Sequence, residues 1–98
     1  MPYEIVFAPE AADDLNNLRA KVRAEVRDAI ELHLRHQPTK TSKSRIKRLR
    51  GMSRPQYRLR VSDETRVFYD VAETAVEILA VVPKAQADQW LERYGEQQ

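Results

Sequence analysis

Residues 57–70 read YRLRVSDETRVFYD, two alternating runs separated by a polar Ser-Asp-Glu. Period two places Tyr57, Leu59 and Val61 on one face of the first run and Arg58 and Arg60 on the other. Two hairpin registers compete. A three-residue turn at Ser62–Glu64 pairs Arg60 with Arg66, Leu59 with Val67, Arg58 with Phe68 and Tyr57 with Tyr69, and leaves one face wholly apolar or aromatic. A two-residue turn at Asp63–Glu64 places Arg66 beside Leu59 and Val61, which buries a charge without a partner. The first register is therefore expected. It sets Arg60 directly against Arg66, a repulsive arrangement unless something anionic lies across them. Arg58, Arg60, Arg66 and Phe68 on one exposed sheet face then suit phosphates and a stacked base. The alternative is internal pairing of these arginines with Asp70 or Glu96.

The neighbouring sequence supplies the remaining elements. AVEILAVV (75–82) continues the alternation until Pro83, and KAQADQWLERY (84–94) puts Ala87, Trp90, Leu91 and Tyr94 on one helical face. Upstream, YEIVFA (3–8) reads as a strand, and Pro9 with Glu10, Asp13 and Asp14 suits a helix start. A helical rhythm then runs to Gln37, where Pro38 ends it. Asn16-Asn17, and the change of charge sign at Arg19 and Lys21, divide it near residues 17–21 into a short helix and a longer one. Residues 39–44 read as loop. The order β-α-α-β-β-β-α predicts an α+β fold over residues 1–98 as a single domain. It has an antiparallel meander, an N-terminal helical hairpin on one face and the helices together covering that face.

Charge is unevenly distributed. Ten Lys and Arg and no Asp or Glu lie between Arg35 and Arg60, whereas every acid except Asp63 and Glu64 lies in the first 31 residues or from Asp70 onward. Lys43, Arg45, Lys47, Arg48, Arg50 and Arg54 extend the strand arginines into a surface that attracts polyanions. With no cysteine there is no disulfide, thiolate metal site or thiol nucleophile, and His33 and His36 lack the companions of a metal cluster. They read as helix-end residues, and no metal or cofactor is expected. No apolar run approaches the ~20 residues that cross a bilayer, and the N-terminus lacks a basic and then apolar leader. A cytoplasmic location without membrane contact is expected.

In combination, the APEA helix start, LRG (49–51), YRLRV (57–61), TRVFYDV (65–71) and VEILAVVPKAQADQWLERY (76–94) resemble the RelE/ParE superfamily of bacterial toxins. The resemblance runs from Tyr3 to about Tyr94. It implies a microbial RNase-like fold, an antitoxin partner and, for the RelE branch, cleavage of messenger RNA on the ribosome. There the ribose 2′-OH attacks the adjacent phosphate, so the protein supplies positioning, charge stabilisation and proton transfer without a metal. The resemblance implies that Arg50 holds RNA or ribosome and that Arg66 stabilises the pentavalent phosphate. Arg58 and Arg60 stand where the family often has lysine, Lys84 where it tends to have a basic residue, and Trp90 where many members have a catalytic tyrosine. Arginine stays protonated, so Arg58 and Arg60 clamp phosphate but make poor bases. Lys84, if buried among cations, becomes the candidate for proton transfer. Trp90 offers an indole N–H and a stacking face but no phenol. The same resemblance implies a second branch, the ParE type, which lacks nuclease residues and poisons DNA gyrase by binding it, as well as members that only bind antitoxin or nucleic acid. The antitoxin is expected to place acidic residues over Arg58, Arg60 and Arg66, with apolar anchors against the helical side.

Overall fold

The computed structural model describes residues 2–98. β1 (Glu4–Phe7) leads through α1 (Pro9–Asn16) and α2 (Ala20–Leu34) to β2 (Ile46–Arg48), β3 (Met52–Arg54), β4 (Tyr57–Arg60), β5 (Thr65–Val71) and β6 (Ala75–Pro83), followed by α3 (Lys84–Tyr94) and β7 (Glu96–Gln97). Five strands form one sheet in the order β1-β6-β5-β4-β2, and β3 and β7 form a separate two-stranded ribbon. Among the described residues only β1 and β6 pair in parallel; the other pairs are antiparallel. The chain has the expected α+β architecture, with three short strands added to the expected order.

The break between the first two helices falls where Asn16 and Asn17 announce it. Pro9 occupies the first turn of α1, where its missing N–H costs nothing, and Glu10 complements the helix dipole. The Asn17 N–H closes on the Asp13 carbonyl at 3.0 Å, and α2 begins three residues later. Ala11 and Leu15 of α1 and Val26, Ala29, Ile30 and Leu34 of α2 recur at helical spacing and bury one stripe each. These stripes close over Ile46, Leu59, Val67, Tyr69, Val76, Ile78 and Val81 on one sheet face. The Tyr69 hydroxyl donates to the Pro38 carbonyl at 2.6 Å, which satisfies the one polar atom of this large buried ring.

The helices do not all lie on that face. α3 covers the opposite one, where Phe68, Ala80, Val82 and Ala87 form a second apolar cluster with Leu49, Trp90 and Leu91 around it. A bulge makes this possible. Tyr69 pairs with Ile78 and Phe68 with Ala80, so Leu79 has no partner and the inward alternation of β6 reverses across it. Val76 and Ile78 therefore face α1 and α2, while Ala80 and Val82 face α3.

The hairpin has the three-residue turn. Arg60 pairs with Arg66, Leu59 with Val67, Arg58 with Phe68 and Tyr57 with Tyr69, and the Val61 N–H closes the turn on the Thr65 carbonyl at 3.0 Å. β2 pairs with β4 and sets Lys47 opposite Arg58. Gly51 turns the chain from β2 into β3 at φ 76°, a left-handed conformation that glycine adopts without a Cβ penalty.

His33, in the last turn of α2, is half-buried in a hollow that also contains Lys40 and Arg45. Burial, and secondarily Arg45, hold its imidazole below the ordinary value of 6.5. The unfolded chain therefore binds this proton more tightly, so stability is complete above the unfolded value and is lost as pH falls through the folded one. Between about pH 7 and pH 5, the melting temperature of the wild type will fall further than that of His33→Gln. Equal losses in paired thermal melts would contradict this account.

Candidate anion-binding face

Register explains why this sheet carries so much positive charge. Lys47 and Arg58 share one cross-strand row with Phe68 and Ala80, and Arg60 and Arg66 share the next with Val82. The Lys84 N–H donates to the Glu64 carbonyl at 2.8 Å, which brings the first residue of α3 to the same turn. Arg58, Arg60, Arg66, Lys47 and the Lys84 backbone thus converge from four elements on one end of one sheet face.

Arg66 is 6% exposed. Its Nη1 donates to the turn carbonyls of Ser62 at 2.6 Å, Thr65 at 3.2 Å and Asp63 at 3.4 Å. No carboxylate lies in ion-pair contact with it among the described residues. Desolvation, followed by the charges of Arg58 and Arg60, lowers its pKa from the usual guanidinium value. Arg60 is pinned through Nη2 to Asp63, and the Nε of Arg58 is buried with no protein acceptor. An unpaired buried donor and a desolvated cation flanked by two more cost stability in the free protein. An anion at this end of the face offsets the charge repulsion.

Neither Asp70 nor Glu96 neutralises these arginines. Asp70 accepts the Gln56 N–H at 2.7 Å and lies 3.6 Å from Arg54, and Arg54 also pairs with Glu77 at 3.3 Å. This places Arg54 at the other end of β5 from Arg66 and removes it from the anion-binding group. Arg48 points to the opposite sheet face, where its guanidinium lies 5.3 Å over the Tyr57 ring and donates to the Leu49 and Gln56 carbonyls. Arg45 donates to the Arg60 and Val61 carbonyls at 2.7 and 3.2 Å and so braces the edge of the arginine row. Lys43 and Arg50 are exposed in the loops that flank β2.

Two expectations for individual residues are corrected. Phe68 is fully buried, and Trp90 stacks on it at 5.0 Å and 12°. Phe68 supports α3 and offers no face to a base, and Trp90 gives one of its own faces to Phe68. Lys84 is exposed rather than enclosed by cations, so the burial on which its assigned proton transfer depended is absent. The backbone carbonyls of Ser62, Asp63 and Thr65 that orient Arg66 have no signature in side-chain type, and sequence reasoning missed them.

The profile of one family, described as the ParE toxin of the type II toxin–antitoxin system, matches residues 5–88. This chain belongs to that family. As a ParE-family chain within the RelE/ParE superfamily, it resembles solved toxin structures over most of its length. The archaeal RelE–RelB complex of Pyrococcus horikoshii aligns with 22% identity over 88% of this chain and 99% of that one, at a TM-score of 0.69. The RelBE2 toxin–antitoxin complex of Mycobacterium tuberculosis aligns with 26% identity over 87% and 94%, at 0.66. The Escherichia coli DinJ–YafQ complex shares only 12% identity over 87% and 96%, yet reaches 0.65. No curated protein matches the sequence.

Proposed function

We propose that this toxin holds an RNA phosphate on the face formed by Arg58, Arg60 and Arg66 and cleaves messenger RNA on the ribosome. One observation carries the reading: Arg66 is desolvated between two other arginines and held by backbone carbonyls rather than by a carboxylate. The ribose 2′-OH attacks its own 3′-phosphate, the P–O5′ bond breaks, and the products are a 2′,3′-cyclic phosphate and a 5′-OH. Arg66 stabilises the charge that develops on the phosphoryl oxygens, while Arg58 and Arg60 orient the phosphate. Lys47, with Lys43, Arg45 and Arg50 beyond it, contacts neighbouring phosphates of messenger or ribosome. Asp63 at this end of the face is tied to Arg60, and no imidazole lies there among the described residues. The 2′-OH proton therefore passes to water, water returns a proton to the 5′ oxygen as it leaves, and most of the acceleration is electrostatic.

The same lack of an acid–base pair favours a second reading, in which the chain acts by binding DNA gyrase, as the ParE branch does by resemblance. The discriminating experiment adds purified protein to a bacterial translation extract and maps messenger 5′ ends by primer extension, with and without ribosomes. New ends that require ribosomes are expected. Undisturbed translation with no new ends, together with gyrase-trapped DNA breaks, would replace the RNase reading with the gyrase one.

The related RelE and YafQ structures are complexes with an antitoxin. A cognate antitoxin is the partner assigned to this chain, with acidic residues over Arg58, Arg60 and Arg66 and apolar anchors against α1 and α2.

A further inference from the structure

A second concavity, of about 520 Å³, opens between α1 and α3, and its charge is opposite to that of the arginine face. Trp90 and Tyr94 form an aromatic wall, with ring centroids 5.6 Å apart, and the bulged Leu79 adds apolar surface. Glu10, Asp13 and Asp14 line the side formed by α1. Tyr94 is 58% exposed, a large ring with much of its surface in water.

Glu10 and Asp13 have no ion-pair partner among the described residues, and Asp14 uses Oδ2 to accept the Val81 N–H at 3.0 Å. Among the described residues Arg54 is the one cation lining the cleft, and its charge is already engaged by Asp70 and Glu77; Arg93, in the adjoining hollow, lies 5.5 Å over the Tyr94 ring. Burial, with repulsion from Asp13 and Glu10, raises the Asp14 carboxyl above its usual range. These carboxylates repel phosphate, so RNA is not the occupant. A guanidinium or alkylammonium satisfies both walls at once: its charge meets the acids, and its face or stem lies on the indole and against the edge of Tyr94. A volume of this size also accommodates the neighbouring apolar side chains of an extended segment.

We propose that the cleft between α1 and α3 receives an arginine or lysine, flanked by apolar residues, from the antitoxin segment that wraps this toxin. The proposal rests on the antitoxin reading above and is independent of RNA cleavage. It gives the partner a bipolar requirement: acids for the arginine face and a base for the cleft. Sequences lacking either are then rejected by unpaired charge.

Trp90 is the only tryptophan in the chain, so its fluorescence reports the cleft directly. The probe is N-acetyl-Leu-Arg-Leu-amide, titrated into the full chain beside its citrulline counterpart, which keeps the shape and loses the charge. Saturable change is expected with the arginine peptide, in the millimolar range of so small a ligand, and is weakened by added salt. Affinity falls at least tenfold for the citrulline peptide and for the Glu10→Gln/Asp13→Asn double variant. Both altered side chains are exposed, and the circular dichroism spectrum checks that this variant folds. Absence of saturation overturns the proposal, as does equal response to the citrulline peptide or in the double variant. Concentration-dependent dimerisation that the double variant abolishes would assign the cleft to a second copy of the chain, and so would also overturn it. The double variant retains messenger cleavage in the extract assay. Loss of the peptide signal and loss of cleavage are therefore separate failures.

Discussion

On the proposed nuclease reading, Arg66→Ala will lower messenger cleavage by ~10²–10³-fold, the usual cost of removing one preorganised donor from a developing oxyanion, and will abolish growth arrest when expressed. Stability will change by no more than ~1 kcal/mol, because relief of a desolvated cation's repulsion from Arg58 and Arg60 offsets the loss of its hydrogen bonds to the turn carbonyls. Arg66→Lys separates charge from shape. A single ammonium lacks the planar guanidinium, whose Nη1 alone bonds the Ser62 and Thr65 carbonyls and leaves its other N–H groups free of them, so an intermediate loss is expected. Arg66→Glu will also weaken antitoxin binding in pull-down or calorimetry, because it sets like charges together where acids are expected. Primer extension beside thermal melts reads the first two outcomes. Full cleavage by a folded Arg66→Ala protein would remove this residue from the reaction, and unchanged antitoxin affinity in Arg66→Glu would move the acidic segment elsewhere.

Arg66 also shows how far the sequence can be read. The three-residue turn was legible because the competing register put this arginine among Leu59 and Val61, and that register is the one observed. The side chain is buried nonetheless, on the other face, because three turn carbonyls accept from it. Burial of a charge is prohibitive only without partners, and backbone partners cannot be seen in side-chain types. The helix break was legible at Asn16-Asn17, where propensity and charge pattern agree. β2 was not, since three residues with a single buried isoleucine have no measurable period, and its existence depends on pairing with β4. That pairing is what turns a basic loop into the edge of a basic sheet. The position of α3 was only half legible. Its apolar stripe fits either face, and the unbroken run Ile78–Val82 signals a strand buried on both, but the bulge at Leu79 that reconciles the run with the pleat appears only in the fold.

Phe68→Ala tests that two-sided arrangement and will be the most damaging substitution for stability. The ring is fully buried, stacks on Trp90 at 5.0 Å and packs with Ala80, Val82 and Ala87. This small cluster is the second apolar core, between α3 and the sheet, so truncation leaves a cavity that the flanking alanines cannot fill. A cost of ~3–5 kcal/mol is expected, or at least ~12 °C in melting temperature for a domain of this size. Phe68→Leu, which refills most of the volume, will recover the greater part. The Trp90 emission will shift to the red in the native state of Phe68→Ala, because the indole loses the ring that shields one of its faces. Cleavage will fall as well, since a loosened α3 no longer holds Lys84 and the turn at Glu64 together. An exposed base-stacking phenylalanine predicts the reverse: lost activity, unchanged melting and an undisturbed Trp90 spectrum. That result would detach α3 from the sheet and, with it, the wall of the acidic cleft.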